Sequence, residues 1–492
     1  MYSLASSNQQ DMSGRAFYTL ATISTCVLIS CSSLVLPRPA AVAVISGCIG
    51  ISLFSIRPWV GLTGAVLILV CIPGELQIAL TGMSYALPTG QINLHVLTYY
   101  IFGGTLETAF EMRDAGLAWI AKRRFIERQL KLFGILFLFE FVLEISKVRG
   151  SGLSNQLADV YLGPMCLYII MVLTIDRFPR TIQFIEDAVI ILLLPVVIFG
   201  FFEFWQKANP LMGNLFLDQA PWYSTYQDEF AKGQTYRIST ILGHPLTNSY
   251  FFFFASLLAF RNSRLFHPGK SIVWRYVLCA VLFFIGILLT ASRTSSLLWI
   301  CSAGILVYRS PSGEQQSLRT VGSVAAFALL IALCLPLVQG IVERGIDDSS
   351  ALARVASVQG VVSAWTSIPF LGFGPGSIED VKIQFLSTST GTSFEIGWII
   401  VLIQFGYLFV LLYFAVLVVP LKESLSRRYA GSNDIFLYRL VVIMMILIFA
   451  SSNTIGERST INYLFFLALG LLGGKMIVIQ NAEYPSIRAG QK

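Results

Sequence analysis

Long apolar segments follow one another along the whole chain, and this limits what it can fold into. At 1.5 Å per residue, a helix needs roughly 20 apolar residues to cross about 30 Å of hydrocarbon. Segments near that length run at 17–36, 40–56, 58–73, 91–109, 131–148, 158–175, 184–204, 246–260, 276–290, 295–308, 321–339, 397–419, 438–453 and 461–479. Backbone groups in hydrocarbon must pair within their own segment. The expected fold class is therefore all-α, a polytopic transmembrane helical bundle of about 12–14 spans. Composition agrees: 12% of the 492 residues are charged and 55% are hydrophobic, whereas about 25% are charged in a soluble domain. The segment 17–36 has no small-residue cleavage site at a suitable distance and is read as a retained helix.

Charge supplies the orientation. The basic stretches Arg113 to Lys131, Arg261 to Arg275, Arg309 to Arg319 and Lys422 to Arg439 fall on one side of these spans, together with both termini. By the positive-inside rule that side is the cytoplasm. The net charge of +7 is dispersed among these short loops, which reads as topology signals and gives no nucleic-acid partner. The eight cysteines lie in or beside apolar spans without C-x-x-C spacing, as buried small hydrophobes do, so neither a disulfide framework nor zinc is expected. The chain divides into N-terminal transmembrane helices (1–204), a first large outer loop (205–245), central helices (246–339), a second large outer loop (340–396), and C-terminal helices with a cytoplasmic tail (397–492). Loops this long are more often functional than connective. No repeat of 20–50 residues is evident, which counts against inverted-repeat transporters.

The stretch GILLTASRTSSLLWI, residues 286–300, places Arg293 inside a long apolar run. With Arg275 and Arg309 both cytoplasmic, the chain between them crosses and returns, so TASRTS forms the outer turn of a helical hairpin. An arginine at the bilayer centre costs about 2.5–3.5 kcal/mol on insertion scales, and the outer turn removes that objection.

The other candidates lie on the same face. Arg237 and His244 close the first loop in TYRISTILGHPLTNSYFFFF. They read either as headgroup-binding charges or as a snorkelling arginine and a turn histidine before Pro245. The second loop holds Arg354 and Trp365 at helical spacing, as in an amphipathic helix lying on the membrane. Pro369, Gly372, Gly374 and Gly376 then force a turn, either an anion-binding nest or a plain turn. Glu395, at the mouth of the next span, is a general base or a partner of the helix dipole. Trp222, Tyr223 and Tyr226 suit sugar stacking or an interfacial aromatic belt, and Trp205 favours the belt. Glu140 and Glu144 are intramembrane acids, functional candidates by default or partners of Lys147 and Arg149. Arg237, Arg293 and Arg354 come from three separate segments, and guanidinium forks bind phosphate oxygens bidentately, so the set suits a pyrophosphate. No D-x-D pair, G-x-x-x-x-G-K-[ST] loop, H-E-x-x-H or G-x-S-x-G is present, so ATP hydrolysis and zinc catalysis are not expected.

The pieces YRISTILGHPLTNSYFF, LTASRTSSLL and ARVASVQGVVSAWTSIPFLGFGPGS resemble the O-antigen ligase and polymerase superfamily of membrane glycosyltransferases, over about residues 230–410. The resemblance implies a GT-C-like fold with two large periplasmic loops in the bacterial cytoplasmic (inner) membrane. It implies an undecaprenyl-pyrophosphate-linked oligosaccharide substrate, inverting transfer, and no metal or other cofactor. Ligases of this family place a histidine about eleven residues before a glycine. Counting back from Gly406 reaches Glu395, and no histidine follows His267. That departure favours the polymerase branch, which joins repeat units into O-antigen, capsule or exopolysaccharide. The alternatives are an O-antigen ligase and a small-solute transporter. The implied catalytic residues are Arg237, Arg354, Glu395 and Arg293, with His244, Trp222, Tyr223, Trp365 and Gly374 binding substrate. The phospholipid bilayer, a flippase and a chain-length regulator are the implied partners.

Overall fold

The structure is a computed structural model. It describes residues 38–72, 94–111, 124–146, 161–211, 236–264, 271–308, 349–374, 381, 396–429, 431–451 and 459–483. Among these residues all regular structure is helical: α1 (Arg38–Ile56), α2 (Pro58–Cys71), α3 (Val96–Glu111), α4 (Arg124–Ser146), α5 (Gly163–Arg177), α6 (Thr181–Gln206), α7 (Pro245–Asn262), α8 (Trp274–Leu289), α9 (Arg293–Tyr308), α10 (Ser349–Ser363), α11 (Gly397–Ser424), α12 (Asn433–Ser451) and α13 (Ser459–Glu483). Short 3-10 turns lie at Trp365–Ser367 and Arg427–Tyr429.

The apolar segments 17–36 and 321–339 fall outside the described residues. Each of the others coincides with a helix to within about two turns. α4 begins well before 131, inside a stretch read as a basic loop. The sequence RFIERQLK consists largely of good helix formers, and Lys131 Nζ meets Glu127 Oε1 at 2.6 Å one turn away. By length and composition, Thr181–Gln206, Gly397–Ser424 and Thr460–Ala482 are long and apolar enough to cross a membrane, while Ala40–Ile56, Pro58–Cys71 and Trp274–Leu289 are shorter apolar helices.

Burial sorts the helices into inner and outer ones. α7 and α13 are interior: Phe251, Phe252, Phe253 and Phe254 are buried, as are Leu464, Phe465, Phe466 and Leu472. α6 instead turns Phe184, Ile191, Ile198, Phe202 and Trp205 outward. These positions recur every one or two turns and span about 31 Å, and apolar surface of this kind is rarely left to water. Close crossings hold the N-terminal helices together. A side chain at Gly50 of α1 would fall on the Tyr100 carbonyl of α3, and one at Gly103 of α3 would fall on the Gly47 carbonyl. Glycine lets two backbones approach this closely.

Polar contacts show which helix ends lie together. At one end, Arg261 of α7 pairs with Glu186 of α6, which also accepts from Tyr438 of α12. Arg261 Nε donates to Asp434 Oδ1 at 3.1 Å, and Lys475 of α13 reaches Asp434 Oδ2 at 2.6 Å. Tyr276 of α8 donates to Asp187 at 2.7 Å, Arg439 to the Ser424 carbonyl at 3.3 Å, and Asn481 to Asp176 at 2.7 Å. Trp59, just past Arg57, stacks on Phe184 with ring centroids 4.7 Å apart. The N-terminal ends of α2, α6, α8 and α12 and the C-terminal ends of α5, α7, α11 and α13 therefore share one end. The opposite end holds the C-terminus of α6 and the N-terminus of α7.

Burial pushes the Asp434 carboxyl up, but attraction to Arg261 and Lys475 outweighs it and holds the group below its ordinary value. A depressed folded-state value stabilises the protein above the ordinary carboxylate range, and that stabilisation is lost as pH falls through it. In detergent, the wild type should lose stability below about pH 4, and Asp434→Asn should lose less over the same acid range. Parallel acid profiles for the two proteins would contradict this linkage.

Candidate functional site

The segment Tyr236–Thr240 wedges between the C-terminal ends of α6 and α8. On the α6 side Glu203, wholly buried, collects five donors. Its Oε1 accepts from Tyr236 Oη at 3.1 Å, Ser239 N at 2.8 Å and Ser239 Oγ at 3.0 Å. Its Oε2 accepts from Thr240 N at 2.7 Å and Asn209 Nδ2 at 3.0 Å. On the α8 side, Ile238 N donates to the Leu289 carbonyl at 3.2 Å and Arg237 Nε to the Thr290 carbonyl at 3.1 Å. Arg237 is thereby docked on the TASRTS turn, three residues before Arg293 opens α9.

Two helix N-termini meet beside these arginines. His244 caps α7: its Nδ1 accepts from Leu246 N at 3.1 Å, and Pro245 takes the first helical position, where no N–H is needed. With Nδ1 accepting, a neutral His244 carries its proton on Nε2. Asn248, one turn on, donates to the His244 carbonyl at 3.0 Å and also pairs with Thr240. Ser249 of α7 bonds Ser295 of α9 at 2.9 Å, and Ser292 donates to Ser295 at 3.0 Å. The positive ends of both helix dipoles thus lie near Arg237 and Arg293, an arrangement that favours negative charge. Lys207, directly after α6, adds a third cation at this end. Its ammonium sits 3.3 Å from the Phe204 ring centroid, and partial burial lowers its proton affinity.

The second arm of the site is built on a broken helix. α11 is interrupted at Gly406, where φ is 79° and ψ is −177°, a region open essentially only to glycine. Carbonyls freed by the break are taken up by the turn after Trp365: Phe373 N donates to Ile403 O at 2.8 Å and Gly374 N to Gln404 O at 2.9 Å. In return Tyr407 N donates to Phe370 O at 3.1 Å, and Tyr407 Oη to Trp365 O at 2.6 Å. Val361, Ile368, Ile399, Ile400 and Ile403 close a small apolar core beneath. This seats α10 on the N-terminal half of α11. Since Ser424 at the far end of α11 meets Arg439 at the Arg261 end, α10 lies toward the Arg237 end.

Arg237, Arg293 and His244 are thus gathered around one turn. Arg354 lies on α10 as expected, with its side chain outside the described part, so its meeting with the other two arginines stays an expectation. Trp365 is 61% exposed, in a 3-10 turn just past the helix. Val355, Val358 and Val362 line one exposed side of α10. Gly372, Phe373 and Gly374 have their N–H groups committed to protein carbonyls, which favours the plain turn over the anion nest for these three residues. Trp222, Tyr223 and Glu395 lie outside the described residues, as do the side chains of Glu140 and Glu144. Trp205, in the last turn of α6, is 82% exposed. Glu203 and Lys207 were not singled out in the sequence. The signal for Glu203 was a lone acid in the apolar run VVIFGFFEFW. No family model matches this chain, and no curated protein matches its sequence.

Proposed function

We propose that this protein is a polytopic membrane glycosyltransferase that joins undecaprenyl-pyrophosphate-linked oligosaccharide units into O-antigen, capsule or exopolysaccharide at the outer face of the bacterial cytoplasmic membrane. The observation that carries this reading is Arg237 docked on the turn that precedes Arg293, beside the N-termini of α7 and α9. That cluster suits a polyanion at a membrane surface. The opposite helix ends carry Arg57, Arg177, Arg261, Arg275, Lys422 and Lys475, which supports a cytoplasmic assignment for them and an outer one for the arginine cluster.

In this reading the acceptor hydroxyl of one lipid-linked unit attacks the anomeric carbon of another, with inversion. The bond from that carbon to the diphosphate oxygen breaks, and its electron pair leaves with undecaprenyl pyrophosphate. Arg237, Arg293 and Arg354 stabilise the departing charge, which they do strongly in a site of low dielectric. Glu395 takes the hydroxyl proton. Replacing Arg237 with alanine should remove long-chain polysaccharide and slow transfer at least about a hundredfold while protein level holds. Arg237→Lys should also impair transfer, since lysine lacks the bidentate fork. Normal polymer length in both variants would remove the arginine clamp, and with it this function.

A further inference from the structure

Arg237 acts from a segment with no helix of its own, so something else must fix its position. Two features of α6, one turn apart, do this. Gly200 makes room: a Cβ there would lie 2.8 Å from Ile238 Cδ1 and 3.1 Å from Thr240 Cγ2, so a branched side chain would crowd the side chains by which the segment packs on α6. Glu203 then holds it from both sides of Arg237, through Tyr236 on one side and Ser239 and Thr240 on the other. Thr240 has a φ of 47°, a left-handed conformation unusual for a β-branched residue, held by Glu203 on its N–H and by Asn248 on its hydroxyl.

A carboxyl group in an apolar helix is costly to bury, and glutamine in its place would turn an NH2 toward N–H donors at one oxygen position or the other. Three of its partners, Ser239 N, Thr240 N and Asn209 Nδ2, are N–H groups that can only donate, so the two carboxyl oxygens hold the segment by accepting from them. We infer that Gly200 and Glu203 form a seat on α6, and that Glu203 is a positioning residue that orients Arg237 toward the turn preceding Arg293. This rests on the reading of Arg237 as a diphosphate-binding group.

The seat is tested on the full-length protein in nanodiscs, with the variants Glu203→Gln, Gly200→Val and Arg237→Ala. Amide hydrogen exchange comes first. In Glu203→Gln the amides of Ser239 and Thr240 should exchange at least tenfold faster, with α12 and α13 unchanged. Gly200→Val, which keeps the carboxylate, should loosen the same amides. Unchanged exchange at Ser239 and Thr240 in both variants overturns the seat, whatever the ligand.

Binding of undecaprenyl pyrophosphate comes second, in a double-mutant cycle. Glu203→Gln should weaken binding about tenfold in the wild-type background and have no further effect when Arg237 is already alanine. Equal losses in both backgrounds would make Glu203 merely structural and overturn its positioning role. Absence of binding by the wild type would instead count against the proposed function, and the exchange result would still decide the seat.

Discussion

Replacing Gly406 with valine should unseat the turn at residues 369–374 and release α10 from α11. A Cβ at Gly406 would fall on the Phe370 carbonyl and on Gly372 N, both backbone atoms that cannot swing aside. The backbone conformation adds about 1–3 kcal/mol for a β-branched residue. Each of the exchanged hydrogen bonds from Phe373, Gly374 and Tyr407 is worth about 0.5–1.5 kcal/mol net. The total comes to roughly 3 kcal/mol or more, enough to detach the turn locally without melting the other helices. Exchange at the amides of Phe373, Gly374 and Tyr407 should rise together, and Trp365 fluorescence should shift. Valine tolerated with those amides still protected would contradict the interlock.

At the other end, Arg261→Ala should be the most destabilising single change among the described polar residues. Arg261 is 16% exposed and its partner Glu186 only 2%, and the same guanidinium also serves Asp434. Removing it strands Glu186 among α6, α7 and α12, and breaking such a buried pair costs about 3–5 kcal/mol. The loss comes mostly from the uncompensated carboxylate and less from the lost attraction. The double variant Glu186→Gln, Arg261→Met should therefore recover much of the loss, since a neutral pair of similar volume leaves no stranded charge. Unfolding in graded SDS, followed by helical circular dichroism, measures both. Additive losses in the double variant would show that the pair acts through packing alone.

The sequence showed where the helices lie because apolar run length is a coarse, additive signal. α7 was legible in finer detail, since GHP before an apolar run gives a capping residue and then a proline at the first helical position. The hairpin turn at Arg293 was legible because the positive-inside rule assigns the two flanking arginines to one side, which requires the chain to return. Three features were not. GWIIVLIQFGYLFVLL reads as one continuous helix, because a single glycine in an apolar run carries no mark of its φ, and the break exists only through the docked turn forty residues earlier. The start of α4 was hidden because charged residues that form helices well look like a loop when only apolarity is counted. Glu203 sits where an acid could equally face headgroups, and its five donors come from residues 209–240, which no local pattern connects to it. The glycine turn stayed open between an anion nest and a plain turn for a related reason: the Ile403 and Gln404 carbonyls that take the N–H groups of Phe373 and Gly374 belong to a helix not visible in that stretch.

The account depends on arginines from separate segments holding one diphosphate. A cryo-EM map of the protein with undecaprenyl pyrophosphate bound in nanodiscs tests this most directly. The expected result is diphosphate oxygens within about 3 Å of the guanidinium groups of Arg237, Arg293 and Arg354, at the end where α7 and α9 begin. A diphosphate held at the Arg261 end, or an Arg354 turned away from the Arg293 turn, would contradict it.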